Sequence, residues 1–128
     1  MLANEQAVTV DTLIPECQTR FDAGLRLVGI SAVEIKTDST FDVLYHFDKD
    51  LQVEHLRLNV PKADPVPSIS GVYFAALLAE NEIKDQFGVN FQNIVIDFGC
   101  TLYLEPEVVK SPFCTFTFAK KEKVKEEA

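Results

Sequence analysis

Phe41-Asp42-Val43-Leu44-Tyr45-His46-Phe47-Asp48 carries an aromatic or branched apolar residue at every odd position, the period of two that a half-buried strand requires. Lys49-Asp50 can turn the chain, and Leu51 to Val60 supplies the returning strand. A two-residue turn there sets Val43 opposite Leu56 and Phe41 opposite Leu58. Upstream, Leu25 to Ile35 has the Leu, Val and Ile density of a third strand, separated from Phe41 by the polar Lys36-Thr37-Asp38-Ser39-Thr40. That spacing sets Ile35 against Phe41 and Val33 against Val43. One face of the meander then collects Val33, Ile35, Phe41, Val43, Leu56 and Leu58 as a core face. The other face would hold Val28, Ile30, Ala32, Leu44 and Val53, too apolar for a solvated back. Cover by later strands of the same chain is the expectation, with cover by a partner as the alternative.

Helices flank this meander. Asp11 is a plausible N-cap, and Leu13, Ile14, Cys17 and Phe21 follow at helical spacing. Pro15 sits in the first turn, where its missing N–H costs nothing, and Gly24 is a natural stop. Pro61 to Ser70 contains three prolines in its first seven residues and reads as an extended linker. A second helix is expected from Val72 to Phe87, with Ala76, Ala79, Ile83 and Phe87 on its apolar face and Leu78 widening it. Gly88 stands where a left-handed cap belongs. Val89 to Phe98 and Thr101 to Leu104 are expected as strands. The predicted fold class is α+β: one domain over residues 1–119, an antiparallel meander with two helices, then a charged tail over 120–128.

Composition excludes several functions. A net charge of −8 argues against nucleic acid, whose phosphates must be met by Lys and Arg. No apolar run reaches the roughly 20 residues of a membrane span. The start, Met1-Leu2-Ala3-Asn4-Glu5, has no signal-peptide character, so membrane association is expected only through another protein. Cys17, Cys100 and Cys114 are scattered with no C-x-x-C pair, which argues against a metal or iron–sulfur site in this chain. His46 and His55 fall on one side of the hairpin, offset from each other and lacking a third ligand, so hydrogen-bonding roles are expected. Ser68 and Ser70 have no matched base, and no glycine-rich phosphate loop exists. No catalytic, cofactor-binding or metal-binding residue is predicted.

The most informative stretch is Glu80-Asn81-Glu82-Ile83-Lys84-Asp85-Gln86-Phe87-Gly88-Val89, of the form E-x-E-x-x-D-x-F-G-V. It resembles the signature of the 30-kilodalton subunit family shared by respiratory complex I and related hydrogenases. Phe41 to His46, Leu56 to Pro61 and Val66-Pro67-Ser68-Ile69 are similar to that family's strands and helix approach, so the resemblance covers about residues 25 to 92. Complex I members usually continue past Phe-Gly with a His-Pro and paired-arginine segment. Here Asn90-Phe91-Gln92-Asn93 runs into Ile94-Val95-Ile96-Asp97 without those arginines. The shorter form looks more like the small subunit of Ech-type energy-converting, membrane-bound nickel–iron hydrogenases.

The resemblance implies a non-catalytic accessory subunit, packed against the large nickel–iron subunit and the iron–sulfur small subunit, with membrane subunits in the same complex. The nickel–iron centre and the clusters would belong to those partners, and the chain would lie on the cytoplasmic side of the membrane, held by them. An equivalent place in a complex I-type quinone oxidoreductase, or a freestanding binding protein of the same fold, is the alternative. The candidate interface is Glu80, Glu82, Asp85, Phe87, Gly88 and Pro67. For the three carboxylates a proton relay, pairing with a partner's cations and a solvated acidic face all stay open, with Lys84 expected to pair with Glu80 at i+4.

Overall fold

A computed structural model describes residues 3–100 and 102. In chain order the elements are β1 (Glu5–Val8), α1 (Leu13–Asp22), β2 (Arg26–Ile35), β3 (Thr40–Lys49), β4 (Gln52–Pro61), β5 (Pro65–Pro67), α2 (Ala76–Phe87) and β6 (Asn90–Gln92). Four strands form a sheet in the order β1-β4-β3-β2, and β5 pairs with β6 apart from it. The meander β2-β3-β4 is antiparallel, whereas β1 joins β4 in parallel. The chain is thus a single α+β domain, with β1 an addition to the expected architecture.

Registers differ from expectation, and the turns explain why. The β3–β4 turn is Asp50-Leu51, not Lys49-Asp50, since Lys49 already pairs with Gln52. Both turn residues have positive φ, at 53° and 67°, the geometry that matches the twist of a two-residue hairpin. Val43 therefore faces Leu58, and Phe41 faces Val60. A slip of two keeps each side chain on its face. The β2–β3 turn is one residue shorter than expected, with Ile35 opposite Thr40, so here the faces exchange. Ala32 now faces Val43 and Ile30 faces Tyr45, while Val33 moves to the back and is exposed. A bulge at Val28 lets Leu27 also reach the core, opposite Phe47.

Phe41, Val43, Tyr45, Phe47, Leu56, Leu58 and Val60 make the sheet's side of the core. Leu13 and Cys17 of α1 join the same cluster, together with Val66, Ile69, Tyr73, Ala76, Leu77, Ile83, Val89, Phe91 and Ile94. Among the described residues the later strands lie on the core side, since Val66 of β5 and Phe91 of β6 join the same cluster. The opposite face is instead polar over much of its area: Arg57 binds Glu5 and Asp42, and Asn59 binds Asp42 and Thr40.

Helix α1 is capped at Thr12 rather than Asp11, and Ile14 and Phe21 are exposed, so its buried stripe is narrower than expected. Helix α2 begins at Ala76, after tight turns in which Val72 and Tyr73 N–H both bond the Ile69 carbonyl. Its inner face is rotated from the expected one: Leu77, Glu80, Asn81 and Asp85 point inward beside Ala76 and Ile83, and Leu78 is exposed. Only Asn90–Gln92 of the expected Val89–Phe98 strand is extended and paired. The expected strand Thr101 to Leu104, apart from Leu102, lies outside the described residues, as do Cys114 and the tail. Among the described residues no helix is long and apolar enough to cross a membrane.

Gly88 ends α2 at φ 80°, with its N–H on the Lys84 carbonyl. A Cβ in the left-handed region costs about 1–2 kcal/mol, so Gly88→Ala is expected to lower unfolding free energy by about 1 kcal/mol. Urea denaturation with an unchanged m-value is the check.

Candidate functional site

Two features stand out: a carboxylate enclosed under α2 and an apolar edge beside it. The first arises because Pro65–Pro67 forces an extended approach that pairs with β6, and the Ser68 N–H continues this to the Gln92 carbonyl at 2.9 Å. The loop Ser68-Ile69-Ser70 is thereby pinned over the second turn of α2. Glu80 rises into it. Its Oε2 accepts from Ile69 N–H at 2.8 Å and its Oε1 from Ser68 Oγ at 2.5 Å. Ser68 Oγ also accepts from Ser70 N–H at 3.0 Å and lies 2.7 Å from Ser70 Oγ. Ser70 Oγ in turn accepts from Val95 N–H at 2.9 Å.

With Glu80 ionised, every donor in this chain of bonds has a direction: Val95 N–H to Ser70, Ser70 hydroxyl to Ser68, Ser68 hydroxyl to the carboxylate. Protonation reverses the last link and leaves the Ser70 hydroxyl without its acceptor in the chain of bonds. Burial opposes this preference. Glu80 is completely enclosed, and desolvation pushes its carboxyl from 4.5 up to about 7, with the Ser68 and Ile69 bonds pulling the other way. The site can therefore hold or yield a proton near neutral pH. Ser68 and Ser70 are buried as well, so no substrate reaches their hydroxyls.

The next residue extends the clamp. Asn81 donates to the Leu77 and Ile96 carbonyls and accepts from Phe98 N–H, each within 2.9 Å, which fastens the 94–98 segment to α2. Lys84 pairs with Asp97 at 2.7 Å, not with Glu80 as its i+4 position suggested. Of the three signature carboxylates, Glu80 and Asp85 are enclosed and only Glu82 is exposed. Phe87 packs partly buried against the core, Gly88 closes the helix, and Pro67 ends β5 at half burial. The six residues thus do not form one surface. Glu80 and Pro67 serve the 65–70 loop, and Phe87 with Glu82 lines a cleft of about 240 Å³ against Ile30 and Ala32 of β2.

Other sequence candidates are placed as follows. Burial pushes the Cys17 thiol up to about 12, which keeps it protonated and inert. His46 and His55 are not offset but directly opposite on β3 and β4. Among the described residues no group of three or more His, Cys, Asp or Glu side chains is arranged to hold a metal ion.

The apolar edge is not apparent from the sequence. Phe21, Leu25, Leu27, Val72, Tyr73, Phe74 and Ala75, with Arg26 as the one charged residue, line a cleft of about 510 Å³ where α1, the start of β2 and the turn before α2 converge. Phe74 is 63% exposed and Phe21 52% exposed. Tyr73 organises the site, stacking edge-on with Phe21 at 5.4 Å and donating to the Leu25 carbonyl at 2.9 Å. Exposed contiguous apolar groups of this kind mark contact surfaces. The adjacent pair Tyr73-Phe74, just before a helix, is the one local signal of it.

Comparison with known proteins yields a consistent set. The family model described as "Respiratory-chain NADH dehydrogenase, 30 Kd subunit" matches residues 5–98. The NADH-quinone oxidoreductase subunit designated C in Ruegeria pomeroyi is 36% identical over 99 residues, covering 70% of this chain and 48% of that protein. Its counterpart in a Jannaschia species is 37% identical over 82 residues, covering 57% of this chain and 40% of its own length. The chain therefore spans about half the length of the curated relatives it matches. A chain in the structure of the membrane-bound sulfane sulfur reductase, an archaeal respiratory membrane complex, superposes with a TM-score of 0.77 over 93% of this chain and 76% of that one. At 20% identity the likeness is one of fold.

Proposed function

Since this chain belongs to the 30-kilodalton subunit family of the respiratory-chain NADH dehydrogenase, we propose that it is a non-catalytic accessory subunit of a multi-subunit respiratory membrane complex of the complex I type. It packs through its apolar edge against the partner that carries the redox groups, and it sits peripherally on the cytoplasmic side, held by that partner. The observation that supports this most is the pairing of the family match with the exposed Phe21–Phe74 cleft. An interface draws its strength from apolar and aromatic anchors seated in desolvated pockets, and the cleft offers such anchors. No cofactor is assigned to the chain itself. Electron carriers belong to its neighbours.

A second reading, the equivalent subunit of an Ech-type energy-converting nickel–iron hydrogenase, is favoured by one feature. Residues 90–97 lack the paired arginines usual after Phe-Gly in complex I members. Purification of the intact membrane complex with activity assays on the same peak separates the two: hydrogen uptake or evolution supports the hydrogenase, and quinone reduction without it supports the oxidoreductase. Recovery of the chain outside any such assembly would overturn both.

The interface itself is testable. Phe74→Glu puts a charge on a residue that is 63% exposed in the isolated chain, so its stability is expected to stay within about 0.5 kcal/mol. Burying that charge against a partner costs about 2 kcal/mol or more, so the variant is expected to co-purify with the complex at least tenfold less well. Undiminished recovery would move the interface elsewhere.

A further inference from the structure

The back of the sheet holds a constellation that neither the core nor the apolar edge uses. His46 on β3 and His55 on β4 are directly opposed, with their Nδ1 atoms 2.8 Å apart and their rings nearly perpendicular at 81°. Both strands are interior to the sheet, β3 between β2 and β4, and β4 between β3 and β1. The backbone on which the two imidazoles are mounted is therefore tied on both sides and cannot splay. Ser31 Oγ lies 2.9 Å from His46 Nε2. Ser31 and Val53 flank the pair and are exposed, so the site opens to solvent.

We propose that His46 and His55 form a bidentate site, through their Nδ1 atoms, for a late first-row divalent cation of square-planar or octahedral preference, nickel(II) or copper(II). The distance selects the geometry. With metal–nitrogen bonds of about 2.0–2.1 Å, a separation of 2.8 Å subtends roughly 84–89° at the metal, a cis right angle. A tetrahedral ion such as zinc needs its two nitrogens about 3.3–3.4 Å apart, further than the pair stands. Ligation replaces the bond between the two rings, each of which turns so that both lone pairs meet at the ion.

The surroundings suit the role. A ligating histidine usually donates its second N–H to a fixed acceptor, which sets tautomer and orientation, and Ser31 Oγ offers that acceptor to His46 Nε2. In the free pair one Nδ1 carries a proton that the other accepts. On ligation that ring passes to its Nε2 tautomer, so the shared proton moves off the ligating nitrogen and stays on the ring. The nearby carboxylates are engaged: Glu5 and Asp42 with Arg57, and Asp48 with Arg26. Water fills the remaining positions, and affinity is correspondingly modest.

Titration of the full-length protein with nickel chloride at neutral pH, followed by calorimetry and by imidazole nitrogen NMR, tests this. One ion per chain is expected, with paramagnetic broadening centred on His46 and His55. His46→Ala and His55→Ala are each expected to weaken binding at least tenfold, as is Ser31→Ala through loss of the orienting contact. Val53→Ala, on the same face, should leave it unchanged. Nickel is expected to bind at least tenfold tighter than zinc. No binding below millimolar nickel, equal affinity in the histidine variants, or thiolate charge-transfer bands showing cysteine ligation would each overturn the assignment.

Discussion

Glu80→Gln is expected to abolish a pH dependence of stability that the native chain shows between pH 4.5 and about 7. The folded carboxyl is raised from 4.5 to about 7, so the folded state holds its proton more tightly than the unfolded state does. The stabilisation is therefore fully present below pH 4.5 and is lost as pH rises through about 7. In that window the unfolded chain has released the proton and the folded chain has not, which gives a slope of about −1.4 kcal/mol per pH unit and a total of about 3 kcal/mol. Other carboxylates act in the opposite sense: Asp48 and Asp97 are held low by Arg26 and Lys84. The measurement is thus the difference between native and variant, by chemical denaturation at several pH values. A glutamine resembles the protonated acid, donating to Ser68 Oγ and accepting from Ile69 N–H. Native and variant should match near pH 5 and diverge by pH 8, with the variant the more stable. A difference that stays flat with pH would mean that the hydroxyl chain, not desolvation, governs the group.

The burial behind this effect is something the sequence does not display. The alternation from Phe41 to Phe47 is legible because a strand's period is local, and the left-handed cap at Gly88 is legible because few other residues tolerate it. The registers are less so. The turn falls at Asp50-Leu51 rather than Lys49-Asp50, with Leu51 at φ 67° and 92% exposed, a conformation that a leucine rarely takes. One residue's difference in the preceding turn sends Val33 outward and Ala32 inward. The face of α2 departs from expectation for another reason. Apolar spacing favours Ala79 and Leu78, but Glu80 and Asn81 point inward because loops at 68–70 and 94–98 supply their partners. Those partners are 11 or more residues away for Glu80, and no local pattern announces them. The signature containing Glu80 is recognisable by resemblance, whereas its burial is not. The edge strand β1 is hidden for the same reason: four residues, only one of them buried, pair with a strand some fifty positions downstream.

That distant pairing supports the other large effect. Arg57→Ala is expected to cost roughly 3 kcal/mol and to loosen β1 preferentially. The guanidinium binds Glu5 through Nε and Nη2 and Asp42 through Nη1, joining β1, β4 and β3 across the back face. Glu5 and Asp42 side chains are only 3% and 14% exposed, so losing the cation removes compensation from carboxylates that water reaches poorly. The intact network adds little by itself, since desolvating three charged groups offsets most of their attraction; what is costly is removing one member. Neutralising all three together, as Arg57→Met with Glu5→Gln and Asp42→Asn, is therefore expected to recover most of the loss. The asymmetry between strands follows from the sheet. β3 and β4 share ten paired positions, whereas β1 has four in parallel with β4, helped at the other side by the Arg20 bond to Gln6 at 3.2 Å. Amide exchange at Gln6, Ala7 and Val8 should approach that of an open segment in Arg57→Ala, while Val43 and Leu58 remain protected. Equal protection of β1 in both proteins, with an unchanged denaturation midpoint, would show that packing of Val8 into the core, rather than the ionic bridge, holds the strand in place.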